Sequence, residues 1–356
     1  MNETPVVFIP RDNVLDDVLN EIAQCLGENH VRVVRGEMAA PGCHVESACT
    51  IPAGLASADV AMLTMRTACT AAMLDGAPNL RGIVYPTIGV ESLDLEAADD
   101  RGIIVGHGAM PENFLGVAEA TVMLMLMLLY NPIACSDVLH GRRARPEPRA
   151  DAVWSRMMRG RTIGMVGFGR IGKAIAHRLQ GWQVRILAND PYIEPASLPV
   201  GVEGGDFATV MRQSDIVVVL VAITPQTQGI IDAQALSMMK PDAYLVNVSR
   251  GQAIDEVALA QALQQRRIAG AALDVFCIEP LPLTSELRKL DNIFLTPHMI
   301  GQTKEVFQAI VPTAVENITR LLAGELPLYC KNPGAQARWR LRLEEIGAQT
   351  GAGDKT

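Results

Sequence analysis

Aromatic side chains supply only 4% of this 356-residue chain, so its core must be built from Ala, Val, Leu, Ile and Met. Its seven cysteines, at positions 25, 43, 49, 69, 135, 277 and 330, form no CxxC pair and no tight metal-ligand spacing. That scatter excludes a disulfide framework and a zinc module, and no metal is expected. Basic charge is scarce as well: 31 Lys and Arg stand against 39 Asp and Glu, for a net charge of −8. An acidic chain of this kind is a poor match for nucleic acid or an anionic membrane, both of which reward a basic face. A short basic group at Arg142, Arg143 and Arg145 lies near prolines and reads as a solvated loop. The longest apolar run, Thr121 to Tyr130, is half of the ~20 residues that a membrane span needs, and it predicts one buried helix. The opening Met1-Asn2-Glu3-Thr4-Pro5 has no basic segment leading into an apolar one. A cytoplasmic protein without a secretory signal is therefore expected.

What is present is alternation. Apolar residues make up 49% and charged residues 20%, a folding composition, and the length suits two domains of roughly 100–200 residues each. Short apolar runs at Val6–Ile9, Val31–Val34, Val60–Leu63, Gly82–Tyr85 and Ile103–Val105 are separated by segments long enough for crossover helices, which predicts a parallel sheet. A helix is predicted from about Glu112 to Tyr130. The alternation then restarts, with strands predicted at 162–167, 184–189, 216–221, 244–248, 271–276 and 293–296 and helices including Lys173–Gln180 and Glu256–Arg266. These describe an α/β chain with a second, doubly wound, dinucleotide-binding domain. A last helix is expected over Thr303–Ala323, stopped by Gly324 and Pro327.

The sharpest motif is Gly167-Phe168-Gly169-Arg170-Ile171-Gly172, directly after a predicted strand and opening a predicted helix. Glycines there permit a tight turn, close approach of backbone to a pyrophosphate, and close helix–strand packing, while the helix N-terminus favours the phosphates. Asp190 ends the next strand, 21 positions after Gly169. A carboxylate at that place accepts hydrogen bonds from the adenosine ribose and repels a 2′-phosphate, so NAD is the expected cofactor.

Three later segments each end a predicted strand: Val246 to Gly251, Leu273 to Pro280, and Leu295-Thr296-Pro297-His298. Arg250, Glu279 and His298 are thereby directed to the carboxyl edge of the sheet, where open α/β sheets bind ligands. Arginine can hold a carboxylate bidentately. Histidine can exchange the hydroxyl proton as a hydride is transferred. Glutamate beside an imidazole favours its protonated form and fixes its orientation.

With these residues in this order, the sequence resembles the D-isomer-specific 2-hydroxyacid dehydrogenase family. The Gly167–Gly172 turn, Thr224-Pro225-Gln226-Thr227, Met239-Lys240-Pro241, Asn247–Gly251, Asp274-Val275-Phe276 with Glu279-Pro280, and Thr296-Pro297-His298 all look like family signatures, and the likeness covers roughly residues 55–333. The resemblance implies a Rossmann NAD-binding domain (109–302) inserted into a flavodoxin-like substrate domain (1–108 and 303–335). Residues 336–356 would form a partly disordered extension. It implies a homodimer formed through the cofactor domains, hydride transfer between NAD(H) and a small 2-hydroxy or 2-oxo acid, Arg250 as carboxylate anchor, and His298 paired with Glu279 as acid/base. Backbone N–H groups around Ile88, Gly89 and Val90 would assist the carboxylate, and Asn113 would lie near the substrate. Arg170 and Ile171 would face the pyrophosphate and Asp274 the nicotinamide amide, with Thr224, Val248, Ser249 and Gly301 also lining the cofactor.

Departures bear on the substrate. Leu220, Ala120, His107 and Met299 replace residues common in the family, yet every catalytic group is retained. Glu279 disfavours a formate-oxidising relative, and Ile88-Gly89-Val90 lacks the lysine expected for phosphite. In the loop Leu63 to Thr67, a phosphoglycerate-type enzyme carries two arginines, and only Arg66 is present, next to the flexible apolar Met65. The preferred reading is a small 2-oxo acid with an uncharged or weakly polar side chain. The alternatives are a phosphoglycerate dehydrogenase-like enzyme and an NAD-sensing corepressor-like binding protein.

Overall fold

The computed structural model describes residues 4–38, 54–144 and 154–352. Cys43, Cys49, Arg145 and the first three residues lie outside the described residues. The chain divides into two units, Met1–Asn113 with Thr303–Thr356, and Phe114–Gln302.

The first unit opens with β1 (Val6–Arg11), α1 (Asp16–Glu28), β2 (Arg32–Met38), β3 (Val60–Met62), α2 (Ala71–Asp75), β4 (Gly82–Val84), α3 (Leu95–Asp100) and β5 (Ile104–Gly106). Its five strands are parallel in the order β2-β1-β3-β4-β5. That is the flavodoxin-like order, and all five apolar runs anticipated from sequence are strands. Alternate strand residues serve opposite faces. Phe8, Ala61, Ile83 and Val105 pack with Leu74, Leu80 and Ala98, while Val7, Ile9, Met62, Val84 and Ile104 face a separate cluster that includes Leu19 and Ile22.

The second unit contains most of α4 (Pro111–Tyr130), then α5 (Pro132–Leu139), β6 (Thr162–Val166), α6 (Arg170–Arg178), β7 (Arg185–Asn189), β8 (Val202–Gly204), α7 (Phe207–Gln213), β9 (Ile216–Val219), α8 (Ala233–Met238), β10 (Tyr244–Asn247), α9 (Glu256–Gln264), β11 (Gly270–Leu273) and β12 (Ile293–Leu295). Seven parallel strands run in the order β12-β11-β10-β9-β6-β7-β8. The chain reverses direction across the sheet between β6 and β9, the switch point at which such sheets open a ligand crevice. The six anticipated strands are present, and β8 is an addition at the edge. Asp206, Asp232 and Asp255 cap α7, α8 and α9 by accepting helix N–H groups, which fixes where each crossover helix begins.

The first unit is completed by α10 (Lys304–Leu322), capped by Thr303, and α11 (Gln336–Ala352). Val306, Ile310, Ala314, Ile318 and Leu321 of α10 bury against the second face of the five-stranded sheet. Of the extension expected from residue 336, the described part, to residue 352, is the helix α11. Trp339 of α11 is 2% exposed in the core of the first unit, and its indole N–H donates to the Arg81 carbonyl at 2.7 Å. The division between units also falls inside α4 rather than at residue 108.

Candidate active site

Each glycine of the turn after β6 has its own physical reason. Gly167 has φ +90° and a Cβ there would meet the Leu220 backbone at 2.9 Å, so no other residue fits the switch point. A Cβ on Gly172 would meet Phe168 at 3.1 Å, which ties this position to helix packing. Gly169 is different: it precedes α6 with no side-chain cap, and an added Cβ would meet no atom within 4 Å. The start of α6, at Arg170 and Ile171, thus has room beside it and no side-chain cap, whereas α7, α8 and α9 of this unit are capped by aspartates. This is the donor set and the room that a pyrophosphate requires, so the residues present fit a dinucleotide.

Asp190, at the end of β7, accepts the Phe168 N–H at 2.9 Å and the Tyr192 N–H at 3.0 Å. Its carboxylate is therefore fixed against the glycine turn. It borders a cavity of about 300 Å³ at the ends of β7 and β8, lined also by Ile193, Leu198 and Asp206. Across the switch point, Thr224 donates its N–H to the Thr227 hydroxyl at 2.8 Å and shapes the loop after β9.

The loop after β10 is built by a residue that pattern reading passed over. Asn247 is 1% exposed; its side-chain oxygen accepts from the Ser249 N–H and hydroxyl at 3.0 and 2.8 Å, and its amide donates to the Arg250 carbonyl at 2.9 Å. The turn Val248-Ser249-Arg250 is wound around this one side chain. Gly251 then lies so close to the neighbouring loop that a Cβ would sit 1.9 Å from the Phe276 carbonyl carbon. Only glycine lets the arginine turn rest on the segment leading to Glu279. The Arg250 guanidinium donates to the Ser249 carbonyl at 2.7 Å, and its charge acts on Glu279.

Glu279 and His298 meet as anticipated. Imidazole Nδ1 and carboxylate Oε2 are 2.7 Å apart, and Oε1 accepts the Phe276 N–H at 3.0 Å. Burial alone would raise the Glu279 carboxyl, but the hydrogen bond and charge of His298, the Phe276 N–H and Arg250 outweigh it and hold the group below the ordinary glutamate value. The carboxylate accepts from Nδ1–H, which leaves Nε2 as the working nitrogen. His298 itself has φ +54°, a left-handed backbone for a non-glycine residue. Its N–H donates to the Asp274 carbonyl at 2.8 Å, and the buried Asp274 carboxylate accepts the Thr296 hydroxyl at 2.7 Å and the N–H groups of Met299 and Ile300. Burial raises the Asp274 carboxyl, partly offset by these bonds. Asp274 thus holds the histidine loop, a role with no sequence signal beyond the motif. Gly301 accommodates α4, since a Cβ would meet Val117 at 2.5 Å.

The expected substrate residues lie in the first unit: Met65 and Arg66 after β3, Ile88, Gly89 and Val90 after β4, and Asn113 in the first turn of α4, after β5. The Ile88 carbonyl accepts from Nδ1 of the buried His107 at 2.9 Å, which fixes the turn through Gly89 and the buried Val90. Asn113 reaches the Gly108 carbonyl at 3.4 Å. Met65 is turned toward the cluster around Leu63, Tyr85 and Val90. Arg66 contacts Asp12.

Residues 122–300 match the family model of the D-isomer specific 2-hydroxyacid dehydrogenase NAD-binding domain. A glyoxylate reductase from Thermofilum pendens is 36% identical over 261 residues, 72% of this chain and 76% of that protein. A D-3-phosphoglycerate dehydrogenase from Methanocaldococcus jannaschii is 35% identical over 272 residues, 76% of this chain but 51% of the longer relative. Among solved structures, an NADPH-dependent glyoxylate/hydroxypyruvate reductase from Sinorhizobium meliloti, in complex with NADP and malonate, superposes with a TM-score of 0.77 and 27% identity, covering 92% of this chain and 97% of that one. With the glycine turn, the acid after β7 and the Glu279–His298 pair in family order, the chain belongs to the D-isomer specific 2-hydroxyacid dehydrogenases, oxidoreductases that move a hydride between a nicotinamide dinucleotide and a 2-hydroxy or 2-oxo acid.

Proposed function

We propose that the enzyme reduces a small 2-oxo acid with an uncharged side chain, of the glyoxylate or hydroxypyruvate type, with NADH. The observation that carries this reading is the 2.7 Å contact of His298 Nδ1 with Glu279 within the field of Arg250. Arg250 binds the substrate carboxylate as a forked cation and aligns the adjacent carbonyl. His298 delivers a proton from Nε2 to the carbonyl oxygen, and takes it back in the oxidative direction. Glu279, ionised, accepts from Nδ1–H and keeps the imidazole oriented while Nε2 exchanges the proton. Asn247 and Asp274 hold the two loops in place. When bound, the dinucleotide supplies the hydride; the α6 N-terminus and Asp190 would hold its pyrophosphate and ribose.

The Asp190 carboxylate beside an acidic cavity supports NAD over NADP. Rates of NADH oxidation with glyoxylate, hydroxypyruvate and 3-phosphohydroxypyruvate test the reading. An absence of turnover with all three would favour a dinucleotide-sensing protein instead, and a phosphorylated substrate winning tenfold would favour phosphoglycerate chemistry.

Homodimer formation belongs to the same proposal. α4 is the one helix among the described residues long and apolar enough to cross a membrane, yet Ala118, Leu124, Met125, Leu128 and Leu129 bury in the core of the second unit. Its other face exposes Met123 and Tyr130, followed by Ile133 on α5 and then Trp154 and Met157. An apolar surface of that extent suits a second copy of the cofactor unit, in a protein working in the cytoplasm. Cell fractionation checks the location, with the protein expected in the soluble fraction.

A further inference from the structure

Asp12, just past β1, is 3% exposed, and every contact of its carboxylate holds it negative. Oδ1 accepts the N–H groups of Val14 and Leu15 at 2.8 and 3.0 Å, and Oδ2 accepts the Thr64 hydroxyl at 2.7 Å. Arg66 Nη1 lies 3.1 and 3.2 Å from the two oxygens. Burial alone would raise this carboxyl, but those donors outweigh it and hold it below the ordinary aspartate value. Thr64 is itself 1% exposed, whereas the Arg66 side chain is 48% exposed. The pair therefore stands with its anion sealed beneath and its cation at the surface. β1 and β4 flank β3 in one parallel sheet, and Ser92 donates to the Thr64 carbonyl at 3.2 Å. Asp12, the Thr64–Thr67 turn and the Ile88–Val90 turn accordingly share one sheet edge.

We infer that Asp12 is a specificity-determining residue, which neutralises Arg66 from beneath and selects 2-oxo acids with an uncharged substituent over those with a second carboxylate or phosphate. The inference rests on the reaction proposed above. A guanidinium already compensated by a buried carboxylate presents little net field to a second anion. A dianion reaching Arg66 must also shed water in front of a fixed negative charge. Thr64 extends the device, because its hydroxyl is committed to Asp12 and an arginine in its buried place would have no room.

The test measures kcat/KM with NADH for hydroxypyruvate and for oxaloacetate, a 2-oxo acid with a second carboxylate. The variants are Asp12→Asn and Asp12→Asn combined with Arg66→Gln, each with a thermal melt. The wild type favours hydroxypyruvate. Asp12→Asn shifts the ratio toward oxaloacetate by about tenfold or more, because Arg66 is then uncompensated, and the double variant loses that shift. A folded Asp12→Asn enzyme with an unmoved ratio overturns the inference. Asp12→Ser, which keeps an acceptor for the Val14 N–H, replaces it if the Asn variant does not fold. On the unaltered enzyme, raising ionic strength from about 0.02 to 0.2 M leaves the ratio unchanged, whereas a selective fall for oxaloacetate marks an uncompensated arginine and overturns the assignment independently. Wild-type inactivity toward glyoxylate and hydroxypyruvate alike sinks the reaction reading and this inference with it, while retained activity with an unmoved ratio sinks Asp12 alone.

Discussion

At the scale of single residues, His298 is held by contacts rather than by preference. Its φ of +54° carries a cost of order 1 kcal/mol for a non-glycine residue, and the Asp274 carbonyl and Glu279 carboxylate hold it there. Asparagine tolerates that backbone, so His298→Asn is a clean removal of the imidazole. It is expected to lower kcat by about 10²–10⁴ with NADH binding, followed by fluorescence titration, nearly unchanged. Glu279→Gln tests the pair by pH. His298, the Phe276 N–H and Arg250 hold the Glu279 carboxyl below the ordinary glutamate value, so the ionised partner persists to low pH and is lost only as pH falls through that lowered value. Any acid limb of kcat/KM that Glu279 causes should vanish in Glu279→Gln, with kcat lowered about tenfold or more; an unchanged profile and rate would leave Glu279 a purely structural part. Asp190 is expected to give a preference for NAD over NADP of about 100-fold, or roughly 2.7 kcal/mol, and Asp190→Ser to erode it. Comparable kcat/KM values of the wild type with the two cofactors would contradict this.

At the scale of elements, loops are set by close approaches that sequence shows only in part. Gly251→Ala places a methyl inside the Phe276–Cys277 backbone, so the arginine turn must lift. Turnover should fall at least about 100-fold, with a stability loss of about 1–3 kcal/mol on denaturant melting. The apolar runs of β1, β3, β4, β6, β9 and β10 were legible because each is buried and uninterrupted. β8 was not, because Val202-Glu203-Gly204 has one apolar residue and gains its place only by pairing with β7. α11 was missed for a related reason. Its anchors are Trp339 and Arg342, and Arg342 binds the backbone carbonyls of Leu80 and Pro78, which no side-chain periodicity records. Trp339→Ala should cost about 3–5 kcal/mol, read from the first unit's unfolding transition. In the site, Arg250, Glu279 and His298 could be named because each follows a strand. The pairing of Asp12 with Arg66 could not, since the partners are 54 residues apart and Asp12 belongs to no motif.

At the scale of the whole molecule, the exposed apolar residues of α4 and α5 are where the proposed dimer is tested. Met123→Glu with Ile133→Glu is expected to convert a dimer to a monomer in sedimentation equilibrium. A wild type sedimenting as a monomer would remove the proposed interface.

The way the first unit is assembled from distant stretches of chain has a consequence for its synthesis. Its five strands are complete by Gly106, and α1 shares one face with β1 and β2, but α10, the helix against β3 and β4 on that face, does not begin until Lys304. At about 5–20 residues per second, roughly ten to forty seconds pass before that face can be covered. During this interval the contiguous second unit can fold by itself, while the part of the earlier-made sheet around β3 and β4 lacks its α10 cover. A nascent chain of this design needs a holding chaperone from about its hundredth residue until α10 emerges, and ribosome-bound fragments ending before Lys304 should be the ones that aggregate or are captured.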